Sequence, residues 1–175
     1  MNEVEIKQEI KNLEIQKQLE KSNPALYIFM RNDMASLTSG RACAMASHAT
    51  SQFEHTIKKE TEGHDGDLAK ASARLEYLYK KWKGEGYFGT TIVLSATLYD
   101  IERLEDSCDI RQFPQSDDEI WEDDFFIHYD YVIDQSYRVE DGDSYHVLPV
   151  KTCFYMFGDR NYDVLKDMTE DYKIY

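Results

Sequence analysis

Long apolar runs are missing from this sequence. Nothing in its 175 residues approaches the roughly 18 consecutive apolar positions that a membrane-crossing helix needs, so no membrane span is expected. Cysteine is scarce as well. Cys43, Cys108 and Cys153 are odd in number, widely spaced and without a CxxC pair, which argues against a disulfide framework or a zinc knuckle. A reducing compartment is the simpler setting. The first twenty residues are charged throughout and lack the apolar segment of a secretory signal, and neither end carries a lipidation motif. The expected location is therefore cytoplasmic.

Positive charge is the third deficit. Twenty Lys and Arg face 34 Asp and Glu, a net charge of −14. The imbalance is local: residues 1–99 carry 13 basic and 13 acidic side chains, residues 100–175 carry 7 and 21. A nucleic-acid binder normally presents a basic face, and here such a face must come mainly from the first half. What is plentiful is aromatic area. Thirteen Tyr and eight Phe, within a 42% hydrophobic composition, can supply a buried core, which argues against global disorder.

Periodicity divides the chain. Residues 1–24 read as a helical extension, with Val4, Ile6, Ile10, Leu13, Ile15 and Leu19 as a loose stripe that Asn23-Pro24 stops. Residues 25–31 are a buried strand, and Ser39 is a candidate N-cap for a helix over 40–59. A loop over 62–67 leads to a second amphipathic helix over 68–83, ended by glycine. Residues 90–96 form a strand and 97–107 a helix. Residues 111–124 form an acidic surface loop. Residues 125–134 are a strand, 140–144 a turn, 145–158 a strand interrupted at Pro149, and 160–168 a short helix. The order β-α-α-β-α-β-β-α predicts one α/β domain over 25–175, with a mixed, mostly four-stranded sheet flanked by helices.

One constellation stands out. The strand LYIFM (26–30) runs into Arg31-Asn32-Asp33, then a turn, then a helix that opens Gly40-Arg41 and carries Ser47-His48-Ala49 two turns on. This resembles the opening of type-2 peptidyl-tRNA hydrolases, where a strand ending R-x-D-L-K precedes a G-K-x-A-A-Q-x-x-H-A helix. Asp134, after a strand, resembles the family's Asp before its A-G-x-T-Q turn. CFYMFGD (153–159) resembles its final T-V-L-x-[IV]-G-P strand, and YKIY (172–175) its terminal L-K-L-Y. The likeness covers residues 25–59, 88–107 and 125–175. Residues 1–24 and 111–124 look like additions.

The resemblance implies a hydrolase of the ester joining a peptide to the tRNA 3′ end, with peptidyl-tRNA or another tRNA species as partner and no metal or organic cofactor. Carried over by position, Asp134 would activate water, His48 would move a proton and Thr152 would offer a hydroxyl. Arg31, Asn32, Asp33, Arg41, Arg138 and Cys153 would bind substrate, the arginines through phosphate or the oxyanion. The sequence also departs from the pattern. Ala35 stands at the family lysine, Met45 at the Gln, Arg138 at the Thr after the Asp, and Cys153 at the last strand's Thr unless the alignment slips to Thr152.

Each of these residues also has a plain structural role open to it. Asp134 fits a turn, His48 a helix histidine bonded to backbone, Arg31 a partner of Asp33, Arg41 a solvated charge and Cys153 a small buried hydrophobe. Lys58, Lys59, Lys80, Lys81 and Lys83 fit solvated helix ends that complement the dipole. The carboxylates of 117–124 match no EF-hand spacing and fit a solvated loop. The alternative function is therefore a catalytically impaired member of the same fold, binding a basic protein through its acidic C-terminal half.

Overall fold

The computed structural model describes residues 13–14, 16–61, 67–84, 89–112 and 127–175. Residues 16–21 are helical, and Pro24, which has no N–H to continue a helix, opens β1 (Pro24–Arg31). Then follow α1 (Ser39–Thr61), α2 (Asp67–Lys83), β2 (Thr91–Ala96), α3 (Leu98–Gln112), β3 (His128–Asp141), β4 (Ser144–Asp159) and α4 (Asp163–Thr169). The architecture is α/β with one mixed sheet of order β2-β1-β4-β3. β1 and β2 run parallel, while β4 is antiparallel to both β1 and β3.

β1 is an unbroken apolar run because both of its faces are covered. Leu26, Ile28 and Met30 point to one side, where Phe53 and Ile57 of α1 and Leu75, Leu78 and Trp82 of α2 pack on them. Ala25, Tyr27 and Phe29 point to the other, against Ile101, Leu104 and Cys108 of α3 and Leu165 of α4. Phe53 is the hub of the first layer. Its ring lies 5.4, 5.8 and 4.7 Å from those of Trp82, Tyr155 and Phe157. The helical segment before β1 is stitched to this body: Leu19 packs on the α1–α2 layer, and Lys81 donates to the carbonyls of Leu19 and Glu20 at 3.0 and 2.5 Å.

Several boundaries differ from the sequence reading. α1 starts at Ser39, and the carbonyl of Thr38 accepts the Ala42 N–H at 2.8 Å, so Thr38 rather than Ser39 flanks the helix. α3 continues through Arg111 and Gln112, a turn beyond the expected end, because Cys108 is buried in the second layer and prolongs the apolar stripe. The rest of the acidic stretch, and residues 62–66 of the expected loop, lie outside the described residues. β3 begins at His128 and passes through Asp134 to Asp141, so Asp134 is interior to the strand rather than at its end. β4 is continuous across Pro149. Gly142, with φ of 58°, and Asp143 make the two-residue loop between them, a conformation that favours glycine.

Connectivity places an opening at one end of the sheet. β1 leads to α1 on one face and β2 to α3 on the other, so the chain diverges at the carboxyl ends of two adjacent parallel strands. Ligands of open α/β sheets bind at such switch points.

Candidate functional site

The Arg31-Asn32-Asp33 triplet sits at this switch point, with each side chain committed to a protein partner. Arg31 Nε and Nη2 donate to the two oxygens of Asp33 at 2.8 and 3.1 Å, and Nη1 donates to the Lys151 carbonyl at 3.1 Å. Asp33 Oδ2 also accepts the Leu98 N–H at 3.1 Å, the first amide of α3. Asn32 donates from Nδ2 to Ser95 Oγ at 2.8 Å and from its backbone to the Ala96 carbonyl at 2.8 Å. The hydrogen bond from Arg31 holds the Asp33 carboxyl below the usual range; partial burial opposes this and the Leu98 N–H adds to it. The triplet is a clasp joining β1 to β2, α3 and β4. Arg31 has a side chain only 12% exposed.

A second grouping lies on the opposite face, where α1 crosses β3. Arg41, Met45, His48 and Gln52 recur at helical spacing and share one side of α1. Arg41 stands over the Tyr137 ring, 5.5 Å from its centroid, and donates to the Ser36 carbonyl at 3.1 Å. The Ser36 hydroxyl and the Tyr137 phenol share a 2.7 Å hydrogen bond. Met45 meets Thr152, and Gln52 Nε2 donates to Asp130 Oδ2 at 2.8 Å and to the Tyr131 carbonyl at 3.1 Å. α1 therefore runs along β3 from Tyr137 to Asp130. His48 is exposed on this stretch of helix, between the Met45 and Gln52 contacts.

Two β-bulges shape the floor of this seam. In the first, Val132 and Ile133 of β3 oppose Cys153 and Lys151 of β4, leaving Thr152 as the extra residue. Thr152 and Cys153 consequently both meet α1: the Thr152 hydroxyl lies 3.2 Å from the Val132 carbonyl and 3.3 Å from Met45 Sδ, and Cys153 Sγ lies 3.9 Å from the Met45 carbonyl. Both residues are 0% exposed. Burial pushes the Cys153 thiol up to about 12, which leaves it inert as a nucleophile. In the second bulge, Asp134 pairs with Val150 and Tyr137 with Leu148, so β3 has one residue too many opposite Pro149. Proline has no N–H to give, and the Ser136 N–H turns to Asp134 Oδ1 at 2.9 Å, with the Ser136 hydroxyl at 3.2 Å from the same oxygen. Pro149 thus marks a bulge in its partner rather than a break in its own strand.

The predicted residues therefore divide. Asp134, His48, Thr152, Cys153 and Arg41 belong to the α1–β3 seam. Arg31, Asn32 and Asp33 fasten the sheet to α3. Arg138 is one residue beyond Tyr137, so strand alternation turns it to the other face, where its guanidinium stacks 3.7 Å from the Tyr145 ring centroid. The seam residues missed in the sequence are Ser36, Gln52, Asp130 and Tyr137. Gln52 had a usable signal, its spacing from Arg41, Met45 and His48. The contact between Ser36 and Tyr137 joins residues 101 apart and had none.

Among the described residues no group of three or more His, Cys, Asp or Glu side chains is placed to hold a metal ion. The carboxylates of 117–124 lie outside that set. On the α3 side of the switch point a groove of about 480 Å³ opens beside Asn32 and Ser95, between α3 and residues 167–173. Asn32 is the one predicted site residue that borders it. No protein-family model matches this chain, and no curated protein matches it either.

Proposed function

We propose that this chain is a peptidyl-tRNA hydrolase-like protein that cleaves the ester between a peptide and tRNA at the seam of α1 and β3. The supporting observation is the stripe of Arg41, Met45, His48 and Gln52 laid along β3, anchored at Tyr137 and at Asp130. It sets His48 on the side of the strand that carries Asp134. Asp134 is half-buried, and Ser136 occupies its Oδ1. Among the described residues Oδ2 takes no hydrogen bond, so it is open to a water that must lose a proton as it attacks. His48 passes that proton to the departing 3′-oxygen of the tRNA, which leaves as a hydroxyl while the water oxygen becomes part of the peptide's carboxyl. Arg41, in the first turn of α1, adds its charge to the unpaired amides of the helix end, a setting that suits a phosphate. Thr152 acts as a positioning residue in this reading, since its buried hydroxyl spans the first bulge. Arg31 enters only when released from Asp33.

The test is release of free peptide from peptidyl-tRNA by the purified chain. Asp134→Asn keeps an acceptor for Ser136, so it is expected to abolish release and leave thermal unfolding nearly unchanged. No release by the wild type, in conditions where an authentic type-2 enzyme turns over, overturns the reading. Binding of tRNA is expected to weaken steeply with salt, as counterion release requires, and further in Arg41→Glu.

A second reading is favoured by two observations. Thr152 and Cys153 are sealed from solvent, and Ala35 stands in an exposed turn at the position of the family lysine. On this view the fold is kept without turnover, and the acidic half, with 21 acidic and 7 basic residues over 100–175, engages a basic protein. Ala35→Lys separates the two. A gain in hydrolysis supports a scaffold that still positions substrate; no gain, with capture of a basic protein that Asp134→Asn leaves intact, supports the binding role.

A further inference from the structure

The groove on the α3 side carries charges of both signs that do not meet. Arg103 lines it from α3; Asp167 of α4 and Asp171, just beyond that helix's end, line it from the opposite wall together with Lys173. Elsewhere in the described structure several opposite charges do pair, among them Arg31 with Asp33, Lys83 with Glu54, Lys151 with Glu105 and Lys166 with Asp163. Among the described residues Arg103, Asp167, Asp171 and Lys173 enter no ion pair. Asp100 also borders the groove; its Oδ2 accepts the N–H and hydroxyl of Thr97 at 2.8 and 2.7 Å, the cap of α3, so it adds a third acidic side chain to the lining.

The walls are fixed rather than loose. Residues 173–175 lie along the open edge of β2: Ser95 N–H donates to the Lys173 carbonyl at 2.8 Å, Tyr175 N–H donates to the Val93 carbonyl at 3.0 Å, and Leu94 bridges Ile174. Tyr172 is wedged edge-on against Phe29, 5.0 Å between centroids, which ties the same wall to the core. The buried Leu104 and Met168 give the lining an apolar part, while at the rim Asn32 is bonded to Ser95 and the Ser107 hydroxyl to the Arg103 carbonyl. A volume of about 480 Å³ falls within the range of small-molecule sites, about 300–1,000 Å³. The location, at the carboxyl ends of β1 and β2, is where α/β sheets hold ligands.

From this arrangement we propose that the groove binds a small zwitterion with an ammonium and a carboxylate, an α-amino acid or a short peptide. The ammonium lies against Asp167 and Asp171, the carboxylate against Arg103 and Lys173, and the side chain on Leu104 and Met168. A ligand of one sign would satisfy one set of these charges and lie beside the other set as a like charge. A zwitterion satisfies both, and charge-assisted hydrogen bonds are the strong ones. The inference does not rest on the hydrolase reading, since none of these residues belongs to the α1–β3 seam.

The test is a titration of the isotope-labelled full chain, followed through backbone amide shifts, with four probes. Free leucine and glycyl-leucine are the zwitterions; N-acetyl-leucine retains only the carboxylate and leucinamide only the ammonium. Saturable shifts confined to residues near 103–107 and 167–173 are expected from at least one zwitterion, with each singly charged probe weaker by about tenfold or more. The tighter of leucine and glycyl-leucine identifies the source as free amino acid or peptide. Arg103→Ala and the pair Asp167→Asn with Asp171→Asn are each expected to weaken binding about tenfold while thermal unfolding stays at the wild-type value. Absence of saturable shifts from both zwitterions at millimolar concentration overturns the proposal. So does a singly charged probe that binds as tightly as they do.

Discussion

Replacing Asp33 with alanine tests the clasp at the carboxyl end of β1, because that carboxylate makes two different kinds of contact. It receives both forks of Arg31, and it accepts the first amide of α3 at Leu98. Losing a helix-cap acceptor costs about 0.5–2 kcal/mol. The ion pair is worth less, about 0.2–1 kcal/mol, because the Asp33 side chain is 33% exposed and water screens it. Together the loss is about 0.7–3 kcal/mol. In a domain of this size each kcal/mol moves the midpoint by about 2–4 °C, so Tm should fall by about 1–12 °C at neutral pH. Asp33→Asn, which keeps a neutral acceptor for Leu98, should lose less. The pH dependence provides an internal check. The folded state lowers the Asp33 pKa, so its contribution is full above the unfolded value of about 3.9 and disappears as pH falls through the folded value. Thermal unfolding followed by circular dichroism, stepped downward from neutrality, should show the gap between wild type and variant closing below about pH 4. An unchanged Tm at neutral pH, or a gap that persists in strong acid, would refute the assignment of Asp33 as a clasp.

Thiol chemistry gives a count: with Cys43 exposed and Cys108 and Cys153 buried, one cysteine per native chain should react with a thiol reagent and three after denaturation. Rapid native labelling of Cys153, whose thiol is pushed up to about 12, would contradict its placement under Met45. Gly89→Ala would put a Cβ 2.0–2.3 Å from the Trp82 ring, whose Nε1 is held to the Thr90 carbonyl at 2.7 Å, so the ring cannot simply step aside. A destabilisation of about 1–3 kcal/mol in denaturant unfolding is expected, and a neutral effect would mean that this contact is absent. Phe53→Ala opens a cavity among Trp82, Tyr155 and Phe157 and should cost about 3–5 kcal/mol by the same measurement.

The elements themselves were readable in the chain because each has its own signal. LYIFM, short and apolar without a gap, fits a buried strand, and the structure covers it on both faces. Leu75, Leu78 and Trp82 gave α2 its period, and Gly84, with φ of 54°, ends that helix where the sequence reading placed its stop. The boundaries that moved depend on contacts with distant parts of the chain. α3 gains its last turn because Cys108 finds Met156, 48 residues away. β4 runs through Pro149 because β3 supplies a bulge opposite it. The candidate site was legible only as a set of residue types. The spacing of Arg41, Met45 and His48 put them on one face of a helix, but nothing in the spacing said which strand that face would meet.

Sequence alone determined the class of the molecule: periodicity and turn residues fixed the element order, and therefore a mixed α/β sheet with an all-apolar central strand. Tertiary structure decided which side chains were left for chemistry. Arg31, Asn32 and Asp33 look like a binding triplet in the chain, yet the fold uses them as a fastener, since charges brought together at a strand end satisfy one another. Arg103 and Asp171, unremarked in the chain, line one groove without an ion pair between them. The physical reason is the same for both. Pairing depends on distances across the fold that local sequence does not encode, and a residue's chemistry is what remains after its neighbours have taken their share.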